Sequence, residues 1–205
     1  MTAQTCTLYL VRHGQTQWNV DKIIQGHSNI PLNEEGERQA HEQRENLKHI
    51  TFSKVYSSDL IRAHKTAEIL NSDRKLDHQT SNALRERNFG LYEGTSMEHH
   101  RFRLWGLLAH HREHPHIKES HVESDEQMVM RVLPFLREVS VKNKGQNILI
   151  VTHGGLMRTL LIHLKYAQVD DFPPNAIKNL AYIKIECDGK SFVIKETSGI
   201  TLSKK

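Results

Sequence analysis

Two short hydrophobic segments constrain the fold of this chain more than any other feature. LYLVRHG covers residues 8–14 and LIVTHGG covers residues 149–155, and both combine an apolar run with a final His-Gly. An apolar run of this length is typical of a buried strand. A buried strand gains nothing from a histidine at its tip, and ligands of open α/β sheets bind beyond the carboxyl ends of the strands. We therefore expect His13 and His153 to meet across one crevice.

Along the whole chain, the sequence pattern predicts strands that alternate with helices. Helices are predicted at residues 34–50 (capped by Asn33), 59–71 (capped by Ser58 or Asp59), 96–112, 124–142 and 154–166, and extended segments at 6–12, 53–58 and 76–84. Residues 180–197 alternate around Asp188-Gly189, which predicts a β-hairpin. We expect an α/β fold: one domain over residues 1–205, a three-layer α/β/α sandwich with a mainly parallel central sheet, an antiparallel edge and a helical cap insertion at 95–127.

Composition narrows the class of protein. Of the 205 residues, 37% are hydrophobic and 25% charged, which suits one soluble domain, and no long apolar run predicts a membrane span. The formal charge of +4 favours anionic partners, but the basic residues are scattered, so nucleic acid is not expected. Cys6 and Cys187 form no metal-binding spacing. Without a signal-like N-terminus, we expect a cytoplasmic monomer or homodimer that does not bind membranes.

Cationic side chains accompany the two strand-end histidines. Arg12 precedes His13, and Arg62 falls in the first turn of a predicted helix, where free N–H groups favour anions. Arginine suits phosphate because its planar fork donates paired hydrogen bonds. With a cationic His153, these groups would form a pocket for a tetrahedral dianion. For each residue alone a structural alternative stays open: a packed strand-end histidine, or a surface ion pair for Arg62.

Four stretches in fixed order, LVRHGQTQWN, SSDLIRAHKTAEIL, LRERNFGLYEG and VTHGGLMR, resemble the signatures of the histidine phosphatase superfamily, which has the phosphoglycerate mutase-like fold. The resemblance implies that His13 is a nucleophile that takes up a phosphoryl group. It implies that Arg12, Arg62 and His153 hold the phosphoryl oxygens, with Asn19 contacting the group or positioning the nucleophile. Glu86 matches the proton donor of the family, whereas Glu93 is expected to shape a turn. No metal or cofactor is implied, because the arginines and histidines supply positive charge.

Other positions are weaker candidates for substrate contact. Gln25 and Gly26 resemble a stretch that lines the site in the family, so Gln25 is a candidate phosphate ligand and Gly26 a point of close approach; loop geometry is the alternative. Arg101, in the predicted cap, is a candidate contact for a second anionic group of the substrate. The cap also carries the histidines 99, 100, 110, 111, 114, 116 and 121, which we interpret as a solvated helical face rather than a metal site.

The superfamily that the chain resembles contains phosphatases and mutases. Cofactor-dependent phosphoglycerate mutases carry a longer segment after the acidic residue, with a Trp-Arg-Arg stretch that residues 94–127 lack. We therefore expect a phosphatase acting on small anionic phosphorylated substrates, with a phosphoglycerate mutase as the alternative. Two further hypotheses stay open: a catalytically silent protein on this fold, and a zinc or nucleic-acid binder using the histidine-rich segment.

Overall fold

The computed structural model describes residues 4–113 and 121–203. The strands are β1 (Cys6–Arg12), β2 (Lys54–Ser57), β3 (His78–Thr80), β4 (Asn147–Thr152), β5 (Ile177–Cys187) and β6 (Phe192–Ile200). The α-helices are α1 (Gln17–Val20), α2 (Glu34–Asn46), α3 (Ile61–Asn71), α4 (Met97–Glu113), α5 (Asp125–Lys142) and α6 (Gly154–His163). Turns of 3-10 helix lie at Asn82–Leu84, Gly90–Tyr92 and Val169–Asp171.

The strands form one sheet in the order β3-β2-β4-β1-β5-β6. The first four are mutually parallel, because helix-containing crossovers connect β1 to β2, β2 to β3 and β3 to β4, whereas β5 runs antiparallel to β1 and forms a hairpin with β6 at the edge. The predicted mixed α/β class with an antiparallel edge is confirmed. Within the described residues, no helix is both long enough and apolar enough to cross a membrane.

Side chains of β1 alternate between the two faces of the sheet and so separate the layers. Leu8 and Leu10 are buried in a cluster that includes residues of α5 and α6, whereas Tyr9 and Val11 are buried in a cluster with residues of α2 and α3. Each fully buried aliphatic side chain stabilises the fold by roughly 1.5–3 kcal/mol. These two cores fix β1 and β4 side by side, and the positions of their ends follow from that.

Helix α4 packs on a small core of its own. Leu104 and Leu108 are buried against Ile24 and Val122, and Leu107 is partly buried there. Of the histidines predicted to form a solvated face, His111 has a side chain outside what the structure describes, and His114 and His116 fall between the described ranges.

Several predicted boundaries differ from the structure: the helix predicted at 154–166 ends at His163, and the extended segment predicted at 76–84 is a strand only over His78–Thr80. The loop after β1 contains the short helix α1, closed by a capping box between Thr16 and Asn19. Helix α2 ends at Asn46 rather than near residue 50, because Leu47 is buried and the chain turns there to reach β2.

The predicted cap of α3 was also wrong. Its N-cap is Leu60, which has no side chain able to cap, while Asp59 accepts a hydrogen bond from Arg85 Nε at 2.8 Å. Instead, the N–H of Ile61 donates to Asn29 Oδ1 at 2.7 Å. A residue of the loop after α1 thus caps the helix, and this contact draws the loop towards Arg62.

Candidate active site

The ends of β1 and β4 bring two histidines together. Arg12 lies opposite Thr152 in the parallel register, so the next residue of each strand occupies the same edge of the sheet. The imidazole rings of His13 and His153 are 5.1 Å apart between centroids, with an interplanar angle of 59°. This is the convergence that the two matching segments predict.

His13 is held from several directions. Its N–H donates to the carbonyl of Thr152 at 2.9 Å, and its own carbonyl accepts from Asn179 Nδ2 at 2.9 Å. Ring Nδ1 lies 2.7 Å from the carbonyl of Gly14. Because a carbonyl only accepts, Nδ1 carries the proton in this contact, and Nε2 of the neutral ring keeps its lone pair.

His153 has no such partner. Its side chain is fully buried, and neither ring nitrogen makes a hydrogen bond to a described residue. It precedes the first residue of α6, so the ring lies at the N-terminal end of a helix. A buried polar group without a partner costs free energy and calls for a ligand or an ordered water.

Two arginines complete the site. The buried Arg62 donates to the carbonyls of Gly26 and Ser28 at 2.7 and 2.8 Å, and its Nε has no partner among the described residues. Arg12 donates to the carbonyl of Ile177, and its Nε is equally without a described partner. Burial lowers the pKa of Arg62 to about 10, so it stays cationic at neutral pH. The site therefore holds fixed positive charge and unsatisfied N–H donors.

This charge decides the protonation of the histidines. Burial, then Arg62, holds the pKa of His153 well below its ordinary value of 6.5, and the same causes lower the pKa of His13. In the unliganded protein both rings are neutral at pH 7. The expected cationic His153 is wrong for this state, because burial beside arginines penalises a further positive charge. A neutral His13 is the form able to act as a nucleophile.

Glu86 reaches the same place from another part of the chain. Its carboxylate accepts from the N–H groups of Gly155, Leu156 and Arg87 at 2.9, 3.1 and 2.8 Å. Two of these donors belong to the first turn of α6, directly after His153. The free N–H groups of that turn therefore anchor the carboxylate beside the histidine pair.

Gly155 makes room for that carboxylate. A Cβ at this position would lie 2.4 Å from Glu86 Oε1. We expect Gly155→Ala to displace the carboxylate and to slow turnover of an ester by roughly tenfold or more, since a shift of about 1 Å costs about 10² in rate. Steady-state assays measure this, with Gly106→Ala as control, because a Cβ on Gly106 in α4 would meet no described atom within 4 Å. Equal activity of the two variants would contradict this placement.

The other predicted contacts are placed less directly. Asn19 Oδ1 accepts from the N–H of Thr16 at 3.1 Å, so this side chain closes the turn of α1. Gln25 Oε1 is buried without a described partner. Gly26 has a φ of +49°, and a Cβ there would lie 2.1 Å from Glu93 Oε1. The contact with Glu93 therefore explains the glycine at this position without any approach to a substrate. Arg101 is exposed on α4.

Glu93 shapes the turn, as the sequence predicts. Its Oε1 accepts from the N–H of His27 at 2.9 Å and from that of Phe89 at 3.1 Å, and its Oε2 accepts from Ser28 Oγ at 3.1 Å. These bonds join the loop that contacts Arg62 to the segment that carries Glu86.

One cavity of the molecule lies away from the histidine pair. It has a volume of about 620 Å³, and its walls include His27, Asn88, Glu123 and Arg131 but neither histidine of the pair. The unpartnered donors and the paired imidazoles, rather than this cavity, mark the candidate active site. Among the described side chains, no group of three or more His, Cys, Asp or Glu residues is arranged to hold a metal ion.

Several residues that build the site escaped the sequence analysis. They are Asn29, Thr66, Asn179, Arg87, Glu123 and Arg131. Thr66 Oγ1, for example, accepts from the N–H of Gly14 at 3.0 Å across 52 positions of the chain. No local pattern indicates such a contact, because it depends on the packing of α3 against the end of β1.

Known proteins resemble this chain in sequence and in fold. The family model of the histidine phosphatase superfamily (branch 1) matches residues 8–198. Phosphoglycerate mutase-like protein 4 of Arabidopsis thaliana is 37% identical over 75% of this chain and 68% of its own, and uncharacterized phosphatase PhoE of Bacillus subtilis is 34% identical over 76% and 75%. The solved structure of Bacillus stearothermophilus YhfR superposes with a TM-score of 0.81 at 29% identity, covering 96% of this chain and 98% of the other.

Proposed function

Because the chain belongs to the histidine phosphatase superfamily, we propose that it is a phosphatase that hydrolyses small phosphate monoesters through a covalent phosphohistidine. The observation that carries this proposal is a neutral, buried imidazole pair 5.1 Å apart between ring centroids, with unsatisfied arginine N–H donors beside it. These donors suit the oxygens of a phosphoryl group, which carry negative charge throughout the transfer. Phosphatase-named relatives support an enzyme of this type.

In the first step, the lone pair of His13 Nε2 attacks phosphorus, and the bond to the ester oxygen breaks with its electron pair. Nδ1–H stays bonded to the carbonyl of Gly14, which stabilises the positive charge that develops on the ring. Arg12, Arg62 and His153 hold the phosphoryl oxygens. Splitting the displacement into two easier steps is the advantage of a covalent intermediate.

Glu86 handles the proton. As the neutral acid, it gives its proton to the departing alkoxide; as the carboxylate, it takes one from the water that then attacks phosphorus and releases His13. Among the described residues, Oε2 accepts only from the N–H of Gly155, so this oxygen has a site left to carry the proton to the ester oxygen. General acid–base assistance of this kind contributes roughly 10²–10⁴-fold.

The substrate in this proposal is a small anionic metabolite, with Asn19, Gln25 and Gly26 lining its phosphoryl end and Arg101 available to a second anionic group. Gln25 would make this contact through its Nε2–H groups, because its buried Oε1 can only accept. No metal, nucleic acid or membrane takes part, and the protein acts in the cytoplasm as a monomer or homodimer. A panel of phosphorylated metabolites, scored for phosphate release, tests the activity. An assay of 3-phosphoglycerate, with and without 2,3-bisphosphoglycerate, tests the alternative. A mutase would form the isomeric phosphoglycerate, whereas a phosphatase would release free phosphate.

The role of Glu86 has its own test. Glu86→Gln keeps the size of the side chain but has no proton to give. We expect it to slow alkyl phosphates by about 10²-fold or more while slowing p-nitrophenyl phosphate only a few-fold, because p-nitrophenolate leaves without a proton. Steady-state kcat/KM values on the two esters measure this selectivity, because they exclude the hydrolysis of phosphohistidine, which both esters share. An equal loss on both would remove the general acid from the mechanism.

A further inference from the structure

The backbone of Glu86 is held on the side opposite its carboxylate. Its carbonyl oxygen lies 2.8 Å from His27 Nε2 and 3.0 Å from an Nη of Arg131 in α5. Both partners donate, because a carbonyl only accepts. The side chain and the main chain of one residue are thus fixed separately, the first by α6 and the second by this pair of donors.

Arg131 is itself held rigidly. Its Nε and Nη2 donate to the two carboxylate oxygens of Glu123 at 2.6 and 3.0 Å, and its Nη1 donates to the carbonyl of Ala83 at 2.7 Å. Glu123 accepts in addition from the N–H of Asn88 at 3.1 Å. A paired, bidentate contact fixes the plane of a guanidinium. Arg131 therefore directs the second N–H of its Nη2 at the carbonyl of Glu86 in one orientation.

A second arginine repeats the arrangement on the other flank of Glu86. Arg87 is 5% exposed, and it donates to the carbonyl of Glu123 and to the carboxylate of Asp125. Its own N–H donates to Glu86 Oε1 at 2.8 Å. The segment Glu123–Asp125, near the end of the predicted cap, is therefore tied to both arginines that hold Glu86, namely Arg87 and Arg131.

We infer that Arg131, fixed by Glu123, is a positioning residue for Glu86. This inference rests on the proposed function, since it concerns the proton donor of that reaction. If the carbonyl of Glu86 loses its donors, the main chain is free to move, and a displacement of about 1 Å costs about 10²-fold in rate. The loss should therefore fall on phosphoryl transfer from esters whose leaving group needs a proton and spare transfer from esters whose leaving group does not.

Arg131→Met tests the inference, with Arg137→Met as the matched control, because Arg137 is exposed on the same helix and lies over the ring of Phe192. We expect Arg131→Met to slow alkyl phosphates at least about tenfold more than p-nitrophenyl phosphate, while Arg137→Met keeps the wild-type ratio. His27→Ala, which removes the other donor, should shift the ratio in the same direction and serves if Arg131→Met does not fold. In Glu86→Gln, adding Arg131→Met should leave the ratio unchanged.

Failure of the inference is distinguishable from failure of the proposed function. If Glu86→Gln shows the leaving-group selectivity and neither Arg131→Met nor His27→Ala does, Arg131 is structural only and the inference is overturned. If Glu86→Gln itself shows no selectivity, the general-acid role falls and the inference falls with it.

Discussion

Replacing His13 with alanine is expected to abolish turnover of every phosphate ester that the wild-type protein hydrolyses. The substitution removes the nucleophile. Removal of a catalytic nucleophile lowers kcat by a factor on the order of 10⁵–10⁶, apart from any effect on substrate binding. The arginines remain, so the variant should still bind inorganic phosphate. Quenching turnover of an ester radiolabelled at phosphorus into alkaline denaturant measures the intermediate directly: the wild type should carry an acid-labile, base-stable label, and His13→Ala should carry none.

His78 provides a matched control for this experiment. Its ring is half-buried, lies 2.9 Å from Ser57 Oγ through Nε2 and stacks on His64 with centroids 4.9 Å apart. His78→Ala therefore removes a comparable ring and hydrogen bond outside the candidate site, and it should keep both activity and label. Label retained by His13→Ala would assign the covalent chemistry to another residue.

The sheet and the facing histidines were predictable because they depend on short-range pattern. Continuous apolar runs identify β1 and β4, and two parallel neighbours bring their ends to one edge whatever lies between them. The hairpin of β5 and β6 was equally accessible, since Asp188-Gly189 marks its turn. In each case the chemistry of a few adjacent residues determines the local structure.

Contacts across long stretches of sequence were not predictable. Ser58 and Asp59 are good capping residues in isolation, yet Arg85 engages Asp59, and Asn29 from a distant loop caps α3. Glu123 precedes a capping box at Ser124, and no local pattern indicates its bond to Arg131. Such pairings are decided by tertiary packing, which a single sequence does not display.

Electrostatics was the other limit. The sequence places cationic residues near His153 but contains no measure of burial, and burial decides whether the ring adds another charge. In the structure, burial is the largest cause of the lowered pKa of His153, and the charge of Arg62 is the second. His153, which the sequence suggests as a cation, is therefore neutral in the structure.

Arg62→Met is expected to lower kcat/KM by roughly 10²–10³-fold, because a preorganised donor aimed at transition-state charge contributes about this much. The variant also removes a positive charge that lowers the pKa of His13 and of His153. Both pKa values should therefore rise towards their ordinary range. His13 would then become protonated at a higher pH, and the acidic limb of the kcat/KM profile should shift upward relative to that of the wild type on the same ester.

Arg74→Met separates this effect from loss of stability. Arg74 also donates to two carbonyls, those of Leu70 and Leu47 at 2.8 and 2.7 Å, and its guanidinium lies over the ring of Phe52. Both substitutions remove two such bonds, so both should lower the free energy of unfolding, but only Arg62→Met should move the acidic limb. If the acidic limb of Arg62→Met coincides with that of the wild type, His13 does not titrate under the influence of Arg62. The lowered pKa of His13 would then rest on burial and on Arg12 alone.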